Sequence, residues 1–236
     1  MATVLLTRPE GENDGLARLL EEQGTKVFTR PLIELSGIGV SPEAKQLMMD
    51  IDHQDVVIFI SKSAVRFALP ELGVYWPQWP VAPRWLAVGA GTAAALSGHG
   101  IVADYPAVAG SEGLLELPGL QAVTGSKVLI VRGRGGRELI ASELTRRGAE
   151  VTYLEVYQRS PTPAGDWLDL APGSVVVVTS LEALASLRAK LGDRTSECRL
   201  VVAAPRIAAE TEGFAQTVIA AGASDQALYD AILRCL

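Results

Sequence analysis

Short runs of consecutive apolar residues alternate along this chain with stretches in which apolar positions recur every three or four residues. Runs such as Val57-Ile58-Phe59-Ile60, Val128 to Val131 and Val176-Val177-Val178 lack the polar alternation of a half-exposed strand. They predict parallel strands buried on both faces. The intervening stretches predict amphipathic helices: Leu16, Leu19 and Leu20 share one helical face, and Gly24 follows the last turn as a stop signal.

The pattern repeats. Val4-Leu5-Leu6-Thr7-Arg8 matches Val128-Leu129-Ile130-Val131-Arg132, and Leu16, Ala17, Leu20, Gly24 and Val27 match Ile140, Ala141, Leu144, Gly148 and Val151. Both copies read strand, loop, helix, glycine stop, strand. A second pair aligns Val57 to Ser61 with Val176 to Ser180, and a third aligns Leu86 to Gly89 with Val201 to Ala204. About ten strands in two matching sets favour two five-stranded lobes over one wide sheet. The predicted fold is therefore α/β, with two similar lobes, each a five-stranded parallel sheet flanked by helices. Ligands of such sheets gather beyond the carboxyl ends of the strands, which predicts an interdomain cleft. Arg30 to Val40 and Tyr153 to Pro163 read as extended links passing between the lobes, Asp104 as the end of a further strand, and the proline-rich Leu69 to Pro83 as a surface loop whose Trp76 and Trp79 pack locally.

Composition narrows the function. At 236 residues and a net charge of -6, the chain has a sizeable core and no excess of Lys and Arg for a phosphate backbone, which argues against a nucleic-acid partner. No run approaches the roughly 18 apolar residues of a membrane span, and the N-terminus enters a strand-like run followed by Arg8, Glu10 and Glu12; a cytoplasmic location without a signal peptide is expected. Cys198 and Cys235 have neither C-x-x-C spacing nor a nearby histidine, so they read as thiols rather than as metal ligands or a disulfide. His53 and His99 read as surface turn residues.

Several loops could carry chemistry. Gly89-x-Gly91-x-x-Ala94 follows a strand and opens a helix; Asp104 comes too early for the ribose contact of a dinucleotide site, so the glycines read as a turn freeing helix amides. Those amides, with the Thr92 hydroxyl, could bind a carboxylate, or Thr92 could simply cap the helix. Arg132-Gly133-Arg134-Gly135-Gly136-Arg137 is the most basic stretch, its glycines allowing close backbone approach and its arginines offering forks to carboxylates, with a solvated loop as the alternative. Arg8 occupies the equivalent place in the first repeat, facing either a ligand or a neighbouring helix. Ser61, Ser63, Ser111, Thr179 and Ser180 stand at other strand ends, as helix caps or as neutral donors to a polyanion.

Leu5-Leu6-Thr7-Arg8-Pro9-Glu10, Phe59-Ile60-Ser61-x-Ser63-Ala64-Val65, Ala87-Val88-Gly89-x-Gly91-Thr92-Ala93, Ser111-Glu112-x-Leu114, Val128-Leu129-Ile130-Val131-Arg132-Gly133, Val156-Tyr157 and Val178-Thr179-Ser180, in this order, resemble the uroporphyrinogen-III synthases over nearly the whole chain. The resemblance implies two lobes joined by a two-stranded β ladder, one of residues 1–35 plus 160–236 and the other of residues 36–159. It implies a lyase of heme and siroheme biosynthesis that closes hydroxymethylbilane, a linear tetrapyrrole polycarboxylate, with loss of water and inversion of the terminal pyrrole. No cofactor and no metal are expected, the chain would act as a monomer, and substrate would arrive by transient hand-over from hydroxymethylbilane synthase. Tyr157 would assist departure of the hydroxyl. Arg8, Ser61, Ser63, Thr92, Ser111, Arg132, Gly133, Thr179, Ser180 and Arg206 would hold carboxylates; Arg206 lies in Ala204-Pro205-Arg206-Ile207-Ala208, where the family commonly has a hydroxyl-rich turn. The rival from another class is a two-lobed anion-binding effector module without catalysis. A nicotinamide or flavin enzyme would rest on Gly89-x-Gly91 alone.

Overall fold

A computed structural model describes residues 3–136, 138–163 and 170–236. In chain order the elements are β1 (Thr3–Leu6), α1 (Asp14–Glu21), β2 (Lys26–Thr29), β3 (Ile33–Gly37), α2 (Pro42–Met49), β4 (Val56–Phe59), α3 (Lys62–Tyr75), β5 (Arg84–Ala87), α4 (Ala90–Ser97), α5 (Ser111–Leu115) and β6 (Lys127–Gly133). They continue with α6 (Leu139–Arg146), β7 (Glu150–Pro161), β8 (Val175–Val178), α7 (Leu181–Leu191), β9 (Arg199–Val202), α8 (Pro205–Ala208), β10 (Gln216–Ile219) and α9 (Asp225–Cys235). The chain divides into two compact units, Met1–Leu35 with Ser160–Leu236, and Ser36–Arg159. It passes from one to the other within β3 and returns within β7.

The first unit holds a five-stranded sheet in the order β10-β9-β8-β1-β2, with every neighbouring pair parallel. Successive side chains of a strand point to opposite faces, so both layers of helices are filled from the same apolar runs. Leu5, Val176, Val178, Leu200 and Val202 pack with α7 on one face. Val4, Leu6, Val175, Val177 and Val201 pack with α1 and α9 on the other. Cys198 and Cys235 are free, buried thiols within these two cores, and burial pushes both thiols up from their ordinary pKa. Both should therefore resist a thiol reagent at neutral pH in the native chain and react at once in denaturant. Rapid native labelling would contradict that placement.

The second unit holds a five-stranded sheet in the order β3-β7-β6-β4-β5, parallel from β7 through β5. Val56, Ile58, Leu86, Val128 and Ile130 bury one face against α5 and α6. Beside β7, the Ile38 N–H donates to the Val156 carbonyl and the Thr162 N–H to the Leu32 carbonyl. Gly24 and Gly148, the two predicted helix stops, have φ of 74° and 88°, a left-handed turn that a side chain would strain.

Two expectations need correction. The strand expected to end at Asp104 is reduced to a single bridge between Leu86 and Asp104, because Pro106, two residues on, has no N–H to continue the ladder. The segment from Leu69 is helical as far as Tyr75, with Pro70 inside α3, because Leu69 and Leu72 are buried and continue the apolar face. Loop begins only after Tyr75, and its tryptophans pack locally: Trp76 donates to the Met48 carbonyl and Trp79 to the His99 carbonyl, each at 2.7 Å.

Candidate active site

At the carboxyl end of the second sheet, Tyr157 on β7 is the largest fully buried side chain among the described residues, with only 2 % of its surface exposed. Four neighbours fix it. Its ring stacks on Phe67 of α3, with centroids 5.4 Å apart. Its opposite strand neighbour is Gly133 at the end of β6, where the register shifts and brings the ring onto the glycine Cα. A Cβ at Gly133 would lie 2.5 Å from Tyr157 Cζ, so the ring occupies the space a side chain would need. The phenolic oxygen lies 3.2 Å from Ser61 Oγ, and Arg159 Nη2 donates to it at 3.3 Å. Gly133 thus makes room for the tyrosine ring.

Ser61 owes its place to helix capping. It precedes α3 with extended backbone, and its Oγ accepts the Ala64 N–H at 2.9 Å, a contact worth about 1 kcal/mol to the helix. Ser63 is half-buried in the first turn. Across the next strand, Gly89 rather than Thr92 caps α4; Thr92 is buried in its first turn, so of the two roles open to it the cap falls away. Gly89 also lets the following loop close in: a Cβ there would meet the Ala109 Cβ at 2.7 Å, and the Gly110 N–H donates to the Val88 carbonyl. Ser111 opens α5 directly after that contact. The exposed Lys62 runs its stem over Gly91. The loops bearing Thr92 and Ser111 therefore stand side by side.

Arg132 is engaged by its own loop. Its guanidinium, 3 % exposed, pairs with Glu138 at 3.0 Å, donates to the Gly133 and Gly135 carbonyls, and lies 4.6 Å from the Tyr153 ring centroid. Tyr153 donates to Glu138 in turn; burial first, then this bond, push its phenol up to about 12. The arginine is consumed in holding its own loop. Arg134 pairs with Glu155 at 3.5 Å, and Arg137 lies outside the described residues. Arg132→Ala should accordingly destabilise the chain by about 1–2 kcal/mol, since it leaves the buried Gly133 carbonyl without its donor, while the lost pair with the exposed Glu138 adds little. Denaturant unfolding measures this; an unchanged midpoint with weakened substrate binding would return Arg132 to the ligand.

In the first unit Arg8 is likewise turned inward. It pairs with Asp225 at the start of α9 at 2.7 Å and meets Asn13, whose amide donates back to the Arg8 carbonyl. Of the two places considered for Arg8, the neighbouring helix wins. Ser180 caps α7 by accepting the Ala183 N–H at 3.1 Å, with the half-buried Thr179 beside it after β8. Arg206 is exposed in the short α8.

The sequence model of a family described as uroporphyrinogen-III synthase HemD matches residues 14–230. The chain is 36 % identical to the uroporphyrinogen-III synthase of Salmonella typhimurium strain LT2 and 37 % identical to that of Escherichia coli K12, with 99 % of each chain covered in both comparisons. This chain belongs to the uroporphyrinogen-III synthase family. The fold agrees with solved members: uroporphyrinogen-III synthetase from Helicobacter pylori 26695 superposes with a TM-score of 0.66 at 14 % identity over all of both chains. A mutant uroporphyrinogen III synthase from the extremely thermophilic bacterium Thermus thermophilus gives 0.62 at 16 % identity, covering 100 % of this chain and 98 % of that one.

Within this uroporphyrinogen-III synthase family member, sequence reasoning missed Phe67, Arg159 and Lys62. Arg159 was legible in principle, because residues two apart on a strand share a face and Tyr157 had already been singled out. Phe67 could not be found that way, since its contact with Tyr157 joins a helix to a strand far along the chain.

Proposed function

We infer that this chain is a uroporphyrinogen-III synthase, an enzyme that closes hydroxymethylbilane into uroporphyrinogen III with loss of water and inversion of the last pyrrole. The observation that carries the reading is its full-length similarity to curated bacterial synthases. Hydroxymethylbilane is a flexible chain of four pyrroles bearing acetate and propionate groups. Water leaves the terminal hydroxymethyl carbon, the pyrrole stabilises the cation, and closure through a spiro intermediate inverts the ring. Without the enzyme the chain closes uninverted. Catalysis is then largely a matter of holding one conformation while the hydroxyl departs.

Tyr157 assists that departure through the polar groups on its oxygen. Its support is a phenol held on all sides at a strand end, with a serine and an arginine on its oxygen. The hydroxyls of Ser61, Ser63, Thr92, Ser111, Thr179 and Ser180, the helix amides they accompany, and the exposed Arg206 bind the substrate carboxylates. Such donors suit a polyanion without requiring a basic protein. Arg8, Arg132 and Gly133 support the surrounding structure. The enzyme works as a cytoplasmic monomer without a cofactor and receives its labile substrate by hand-over from hydroxymethylbilane synthase. Among the described residues, no helix is long and apolar enough to cross a membrane.

The test generates hydroxymethylbilane enzymatically, adds the purified chain, oxidises the products and separates isomers I and III. A protein-dependent shift to isomer III is expected. Persistence of isomer I at every concentration of folded protein would leave the anion-binding module as the better reading.

A further inference from the structure

Tyr157 is too deeply enclosed for its hydroxyl to be the obvious donor to a substrate, and its two oxygen partners suggest how a proton could still travel. Arginine has donors only, so the 3.3 Å contact from Arg159 makes the phenolic oxygen an acceptor. The phenol's own proton then needs another acceptor. Among the described residues the remaining polar neighbour of that oxygen is Ser61 Oγ at 3.2 Å. Ser61 Oγ also accepts the Ala64 N–H at 2.9 Å, so with both acceptor positions filled its own proton points elsewhere. Ser61 is half-buried where Tyr157 is buried, so the end of the chain of donors that a ligand can reach is the serine.

We propose that Arg159, Tyr157 and Ser61 form a directed relay in which Ser61, not Tyr157, gives the proton to the departing hydroxyl. The proposal rests on the synthase reading above and adds the residue that touches substrate and the one that polarises the donor. In the step, the C–O bond breaks with its electron pair on oxygen, and the Ser61 proton completes the leaving water. The Tyr157 proton moves to Ser61, and the phenolate left behind faces the Arg159 guanidinium. When the ring closes, the pyrrole carbon that forms the new bond gives up a proton, which restores the phenol. Atoms and charge balance without a further reactant. Arg159 is exposed, and no carboxylate pairs with it among the described residues, so its charge is available to the phenolic oxygen. Arg159 and Tyr157 are positioning residues in this scheme, acting on the substrate through Ser61.

The relay is tested by kcat and KM for isomer III in full-length variants. Ser61→Gly is used because glycine at a helix cap costs only a few tenths of a kcal/mol, so the fold is preserved while the hydroxyl is lost. Ser61→Gly and Tyr157→Phe should each lower kcat by about 100-fold. Combining them should cost no more than about 3-fold beyond the slower single variant, because both interrupt one path. Ser61→Thr should recover most of the rate. Arg159→Gln should lower kcat by about 10-fold with little change in KM, and Arg159→Lys should restore most of it. Multiplicative losses in the double variant, or an Arg159→Gln effect confined to KM, would overturn the relay while leaving the synthase reading intact. Absence of isomer III with the wild-type chain would instead remove the synthase reading and the relay together.

Discussion

Gly133→Ala should all but abolish formation of isomer III in a chain that still folds. The new Cβ would stand 2.5 Å from Cζ and 2.6 Å from Cε2 of Tyr157, well inside contact distance. Neither side can yield easily. The backbone of Gly133 is held in β6 by its pairing with β7, and the Arg134 N–H donates to the Tyr157 carbonyl at 2.7 Å. The ring must therefore tilt away, which breaks its stack on Phe67 and lengthens the bond to Ser61. Overpacking of this kind costs about 1–3 kcal/mol, a loss the rest of the sheet can absorb. We expect a lowered denaturant midpoint, native far-ultraviolet circular dichroism, and turnover reduced at least as far as by removing the tyrosine hydroxyl. Activity close to wild type would mean that the position of the ring is immaterial.

Tyr157→Phe separates position from chemistry. The phenylalanine ring can keep the stack on Phe67 and the seat over Gly133, so stability should stay within about 1 kcal/mol of wild type. What disappears is one oxygen, and with it the contacts to Ser61 and Arg159. The rate of isomer III formation should fall by about 100-fold, at the low end of what a positioned acid contributes. The product mixture should drift toward isomer I as unassisted closure competes. Unchanged turnover would remove the tyrosine from the chemistry and leave it a packing role at the end of β7. Taken together, the two variants distinguish an enzyme that needs the hydroxyl from one that needs only the ring.

The architecture was legible because it depends on periodicities that a sequence displays directly. Runs without polar alternation mark strands covered on both faces, and the recurrence of Val4 to Arg8 as Val128 to Arg132 marks two equivalent sheets. The misreadings have local causes. Pro70 and the prolines after it suggested a loop, yet the burial of Leu69 and Leu72 outweighed one missing helix hydrogen bond. Thr92 looked like a cap because threonine favours that position, but the extended residue before α4 is Gly89, where a side chain would strike Ala109. Such a contact depends on a loop that arrives some twenty residues later.

Fold class, repeat and the set of strand-end residues were readable from the chain alone, since each of these follows from apolar spacing and from the order of motifs. Tyr157 was singled out only through the family resemblance. The roles of the polar groups emerged only on folding. Arg8 and Arg132 looked alike in the repeat and open to a ligand, yet Asp225 and Glu138 take them up. Gly133 looked like an approach for substrate, and the Tyr157 ring fills it. The difference is one of range: apolar periodicity is written in neighbouring residues, whereas the partner of a charge or a hydroxyl is whichever group the packed core brings within about 3 Å, often from the other end of the chain.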